Sequence, residues 1–177
     1  MGTGEITRFP HHPPQGGITL VETMTTLAIA SILLTAAIPP MQDFVIRTRM
    51  SVEVNNFVAS LYLARSEAVK RLRDVSLCPT TNGTSCDTSS SYDWSKGWMV
   101  YADVDNSNSF TTGDEVLQQN PKIPFKNNGN IKFITFNPRG SSNGGSFTFL
   151  DTRGTAETRC VTVSPDGRSY VASGACS

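Results

Sequence analysis

At 177 residues the chain has room for one domain and an extension, and not for two full domains. Its 15 basic and 15 acidic residues balance, which excludes a bulk charge that would draw it to nucleic acid or to anionic lipid. An apolar share of 38% and a charged share of 17% suit a small soluble core joined to a more apolar segment.

Residues 1–17 carry Arg8, His11, His12 and three prolines, and they are not apolar. A secretory signal places its hydrophobic run before the cut and loses it afterwards. Here the order is inverted: the apolar run Ile18–Ile38 follows Gly16-Gly17 and stays in the chain after a cut at Gly17. As a helix its 21 residues rise about 31 Å, enough to cross the hydrocarbon core of a bilayer. Glu22 interrupts the run, and an unpaired carboxylate at membrane depth costs on the order of 3 kcal/mol or more. Either Glu22 stays hydrated near the interface, or it waits for a cation. A cut after Gly17 frees the amine of Ile18, so a neighbouring subunit's N-terminus can supply that cation.

Gly17-Ile18-Thr19-Leu20-Val21-Glu22 resembles the processing site of type IV pilins and type II secretion pseudopilins. The resemblance implies cleavage between Gly17 and Ile18 by a prepilin peptidase and methylation of the new N-terminus. Ile18 stands where the family usually has phenylalanine. Pro39 falls where many pilins place a helix-kinking proline. Three regions are therefore expected: a leader over 1–17, a transmembrane and assembly helix over 18–40, and a globular head over 41–177.

Past Pro39-Pro40, where each proline removes a backbone donor and the helix should bend or loosen, the pattern turns amphipathic. Val54, Phe57, Leu61, Ala64, Ala68 and Leu72 recur at intervals of three and four, which predicts an apolar stripe over 41–73. From Val75 the texture changes to short β-rich runs separated by Gly, Asn, Pro and Ser clusters: 75–78, 98–102, 115–117, 131–136, 146–150, 160–163 and 169–171. The economical architecture is α+β, a long N-terminal helix packed on an antiparallel sheet, because stripe and sheet face bury each other.

Four cysteines lie past the apolar run. No CxxC pair is present and both histidines sit in residues 1–17, so a zinc site is poorly supplied and two disulfides in an oxidising compartment are expected. Three pairings are open. Cys78 with Cys86 and Cys160 with Cys176 are favoured because each closes a short loop. Trp94 and Trp98 flank a turn and are expected to pin the Cys78–Cys86 region to the sheet.

Ala64-Arg65-Ser66-Glu67-Ala68-Val69-Lys70-Arg71, Leu77-Cys78-Pro79, Trp94-Ser95-Lys96-Gly97-Trp98 and Asp166-Gly167-Arg168, in that order, are similar to the FimT/GspH family of minor pilins. This implies the pilin fold and a structural subunit; with both histidines in residues 1–17 and the cysteines expected to be oxidised, no catalytic set can be assembled from the residues, and no cofactor is expected. Such a subunit crosses the bacterial inner membrane once with its head in the periplasm. Its partners would be the prepilin peptidase and other pilin or pseudopilin subunits, and its place the initiating complex or tip of a type IV pilus or type II secretion pseudopilus. Some FimT relatives bind DNA through a C-terminal Gly-Arg-x-Arg motif. This chain reads Gly167-Arg168-Ser169-Tyr170, so the second arginine is absent and with it one phosphate contact.

Residues 118–177 nevertheless hold seven basic residues against Asp151, Glu157 and Asp166. Arg168, Arg159 and Lys132 are accordingly the candidate contacts for DNA. Asp103, Asp105 and Asp114 are a calcium candidate: the spacing begins like an EF-hand loop but lacks the glycine at its sixth position and the glutamate at its twelfth. The other reading of that stretch is a solvated polar hairpin loop.

Overall fold

A computed structural model describes residues 16–87, 89, 92–151 and 157–176, without the side chains of 36–40. The leader residues 1–15, with His11 and His12, and Arg153 lie outside the described residues. The chain divides into two compact units, residues 1–43 and 44–177. Helix α1 (Leu20–Arg71) runs through Pro39 and Pro40 without interruption. It ends by a backbone device rather than at a proline. Leu72 takes φ 54° and the Arg73 N–H donates to the Ala68 carbonyl at 3.3 Å, a Schellman closure with leucine in the place that glycine usually fills.

In the second unit the helix is followed by β1 (Val75–Pro79), a 3-10 turn at Trp94–Lys96, β2 (Trp98–Ala102), β3 (Glu115–Asn120), β4 (Lys126–Gly129), β5 (Ile134–Phe136), β6 (Gly145–Leu150), β7 (Thr158–Val163) and β8 (Ser169–Ser173). They form two four-stranded sheets rather than one, in the orders β3-β2-β1-β5 and β4-β6-β7-β8, and every pairing is antiparallel. β4 escaped the sequence reading because Lys126-Asn127-Asn128-Gly129 carries no β-branched or aromatic residue.

The helical stripe is the seam of this unit. Val54, Phe57, Leu61, Ala64 and Ala68 are all buried, together with Met50. Phe57 touches rings on both sides, with centroids 5.2 Å from Trp98, 4.7 Å from Phe147 and 5.5 Å from Phe149. Trp94 lies 5.7 Å from Phe57 and 4.9 Å from Phe147. Edge-on contacts of this kind add to the area each ring removes from water. The two tryptophans therefore join helix to sheets, and their segment also meets the Cys78–Cys86 region, with Trp98 registered opposite Pro79 and the Thr80 N–H donating to the Gly97 carbonyl at 2.9 Å. Their indole N–H groups are satisfied in the core, Trp94 by the Ile131 carbonyl at 3.2 Å and Trp98 by Ser60 Oγ at 3.0 Å.

β1 and β2 are buried on both faces. Leu77, Val100 and Trp98 belong to the main core, whereas Cys78, Met99 and Tyr101 form a second cluster with Cys86, Phe110 and Val116. The Cys78–Cys86 disulfide holds its loop over this second cluster, and Cys160 is bonded to Cys176 on the other sheet. Burial pushes the Tyr101 phenol up to about 12.

Candidate functional site

The first unit presents its apolar side chains outward. Ile18 is 80% exposed, and Leu20, Met24, Leu27, Ile32, Leu33 and Leu34 are exposed in the same way. A helix that is apolar all round has no water-facing side, and it belongs against lipid or protein. Its hydroxyls are already satisfied. Thr23, Thr25, Thr26, Ser31 and Thr35 each donate to a main-chain carbonyl three or four residues earlier in the chain, at 2.5–3.2 Å. Such bonds let hydroxyl groups enter an apolar medium without an unsatisfied donor.

Thr19 caps the helix: its Oγ1 accepts from the Glu22 N–H at 3.2 Å. Thr19-x-x-Glu22 has the spacing of a capping box, and it places the Glu22 carboxylate in the first turn, where the helix dipole favours negative charge. The sequence contained this signal, but a reading of Glu22 only as a charge in an apolar run passes over it. Ile18 and Glu22 are thus both presented at the start of α1, the free edge of an apolar cylinder. Among the described residues no helix is long and apolar enough to cross a membrane. The run expected to do so extends into 36–40, whose side chains lie outside the described residues.

At the far end of the chain, the motif pieces that looked unrelated in sequence converge. The Arg65 guanidinium donates to the Asp166 carbonyl at 3.0 Å. Gly167 (φ 78°) packs so tightly on the turn at Gly140 that an added Cβ would lie 2.0 Å from the Gly140 carbonyl oxygen. Glycine here is required by a close backbone approach as well as by its left-handed φ. Asp166-Gly167-Arg168 is therefore a structural turn that locks two loops onto α1.

Of the three DNA candidates, Arg168 lies in that turn and Arg159 does not. Arg168 is paired with Asp166 at 3.2 Å. Arg159 is registered opposite Ser173, whereas Val163, next to the turn, faces Ser169, so Arg159 stands about 13 Å along the ladder from the turn. Lys132 precedes β5 and is half-buried. Nothing in this arrangement favours DNA uptake over a filament role.

The carboxylates of Asp103, Asp105 and Asp114 do converge, within 4.8 Å of one another. They serve their own loop: Asp103 accepts the N–H groups of Ser107 at 3.1 Å and Asn108 at 2.8 Å, and Asp114 those of Val104 at 2.8 Å and Thr111 at 2.7 Å. The hydroxyl and N–H of Ser107 and the Thr111 hydroxyl hold the Asp105 carboxyl below its ordinary value. Nearby, burial and then the charge of Asp103 push the Asp74 carboxyl up.

A family model for the prokaryotic N-terminal methylation motif matches residues 13–38, and one for the type II transport protein GspH matches residues 53–167. The chain belongs to the GspH family. It is a minor pilin or pseudopilin, of a type IV pilus or a type II secretion system. The methylation motif implies processing by a prepilin peptidase, and subunits of this kind assemble with other pilins into membrane-anchored filaments. Family and fold are those of structural subunits. Among solved structures, the type IV minor pilin FimU of Pseudomonas aeruginosa PAO1 shares the GspH-family chain's fold in two crystal forms. One has a TM-score of 0.57 at 20% identity, covering 76% of this chain and 99% of that one. The other has a TM-score of 0.54 at 19% identity, covering 73% and 99%. The minor pseudopilin EpsH of the Vibrio cholerae type 2 secretion system aligns with a TM-score of 0.47 at 11% identity, over 71% and 97%. No curated protein sequence matches the chain.

Proposed function

We propose that the leader 1–17 is removed between Gly17 and Ile18, and that segment 18–40 holds the chain in the bacterial inner membrane with residues 41–177 in the periplasm. The new Ile18 amine is methylated and meets the Glu22 carboxylate of a neighbouring subunit, which draws the helix from lipid into a filament. The subunit acts in filament initiation or at the tip. The observation that carries this reading is the outward-facing apolar surface of residues 18–34, with the hydroxyls from Thr23 to Thr35 satisfied internally. Glu22 is then the group for which an apolar medium has no answer except a cation. The two disulfides agree with an oxidising compartment for the head.

The test is the Glu22→Ala variant, expressed with its own assembly machinery. It is expected to be cut normally after Gly17 and to fall at least about tenfold in sheared filaments, the loss that one unmatched charge pair of roughly 1.4 kcal/mol or more produces. Normal incorporation of Glu22→Ala overturns the pairing, and retention of residues 1–17 in the membrane-bound protein overturns the processing step.

A further inference from the structure

The second unit carries two open troughs that share a lining residue. The larger, of about 580 Å³, runs between Asn130-Ile131 and the outer side of β7 and β8 near Ala172. The smaller, of about 310 Å³, lies among Asn108, Phe133, Asn137 and Ser141. Asn143 lines both. Each volume is within or at the lower end of the roughly 300–1,000 Å³ of ligand clefts.

Their chemistry is selective. Among the described residues, neither lining contains an Asp, Glu, Lys, Arg or His. A phosphate backbone needs cations and a metal ion needs carboxylates or imidazoles, so both are poor occupants. What the linings offer instead is carboxamides and hydroxyls, which donate and accept without charge; of these, Asn143 is committed to the Thr135 N–H at 3.0 Å and the Phe133 carbonyl at 3.2 Å.

Several of those amides are fixed from behind. The Asn130 Oδ1 accepts the Ser146 N–H at 2.8 Å, and the Asn137 Oδ1 accepts the N–H groups of Arg139 at 2.9 Å and Ser141 at 3.2 Å. With the oxygen held by the backbone, the Nδ2 donor of each amide is presented in one orientation. Donors of this kind lose little freedom on binding. Phe133 is 36% exposed and lines the smaller trough, and an aromatic ring suits the weakly positive C–H face of a sugar.

We propose that these two troughs are a binding site for a neutral oligosaccharide, with Asn130 and Asn137 as oriented donors and Phe133 as an aromatic contact. Neutral polyhydroxy chains match the linings in charge and in hydrogen-bonding character.

The full-length protein, in a zwitterionic detergent without a sugar headgroup, would be titrated with cellohexaose, maltohexaose and chitohexaose, and separately with heparin, single-stranded DNA and a neutral extended peptide. At least one neutral hexasaccharide is expected to bind, with affinity unchanged between 50 and 500 mM salt because no counterions are released. Ala172→Trp, at an exposed position in the larger trough, and Phe133→Ala, in the lining of the smaller, are each expected to weaken binding about tenfold or more. Tyr62→Ala, on exposed helix surface, is expected to leave it unchanged. Near-UV circular dichroism of each variant separates a misfolded head from a blocked site. Absence of binding by all three hexasaccharides overturns the proposal, as does binding that both trough variants preserve. Preference for the peptide, heparin or DNA overturns it as well.

Discussion

The two units use the same kinds of residue to opposite ends. In residues 18–34 the leucines and isoleucines point outward and stay exposed, whereas in the second unit Phe57, Leu61, Leu77, Phe147 and Phe149 are fully enclosed. Hydroxyls of α1 turn back onto its own carbonyls in both units, and in the second Ser60 also accepts from Trp98 across the core. The lesson is that apolar content alone does not mark a core. A core needs a second surface of the same kind facing it, and the first unit has none among the described residues.

That contrast can be broken most severely at Phe57. Phe57→Ala should cost the second unit about 3–5 kcal/mol, because it opens a cavity between rings from both sheets, measured by urea unfolding followed through tryptophan fluorescence. Next comes Gly167→Ala. With a left-handed φ and the Gly140 carbonyl in the way, a loss of about 2 kcal/mol or more is expected in the same experiment. The outward-facing segment should behave otherwise: Leu27→Ala is expected to shift that unfolding midpoint by no more than about 0.5 kcal/mol in equivalent free energy, while filament yield falls. A large change in head stability from Leu27→Ala would undo the distinction between the units.

The smallest effects are electrostatic. The Ser89 N–H, followed by the Lys96 ammonium and the Ser89 hydroxyl, holds Asp87 down at about 2 against an ordinary carboxylate value near 3.9. A depressed carboxylate adds stability that is present above its unfolded pKa and is lost as pH falls through the folded one. Asp87→Asn should therefore lose its disadvantage relative to the parent protein between about pH 4 and pH 2, read from paired melting curves. For Asp74, raised by burial and by Asp103, the sign is opposite. Its charge opposes folding above its folded pKa, so Asp74→Asn should melt slightly higher than the parent at pH 7 and lose that advantage in acid.

Much of this was readable in the sequence, and the reasons differ by region. The helix stripe was legible because five buried positions from Val54 to Ala68 repeat at helical spacing. Seven of the eight strands showed as β-rich runs. β4 did not, because its place is set by pairing with β6, which registers Asn127 opposite Phe149 and Gly129 opposite Phe147. Division into two sheets was also hidden, since local pattern does not say which strands become neighbours. Cys78 with Cys86 and Cys160 with Cys176 were favoured on loop length, and these are the bonds in the structure.

At the site, the processing signature could be read from six adjacent residues. The convergence of Arg65, Gly140 and Gly167 could not, since it depends on loops distant in the chain meeting over one helix. The oriented amides at Asn130 and Asn137 were silent for the same reason.

Phe57 sets an order of events as the chain is made. It leaves the ribosome long before Phe147 and Phe149, yet rings from both sheets, Trp98 on one and Phe147 and Phe149 on the other, close on it. Until β6 has been synthesised the helix stripe has no full partner, and contacts so distant in sequence close slowly. The exposed stripe is then a temporary liability that a growing chain must carry. We expect a nascent chain stalled before Phe147 to recruit a holdase chaperone, and one extended past Val163 to release it.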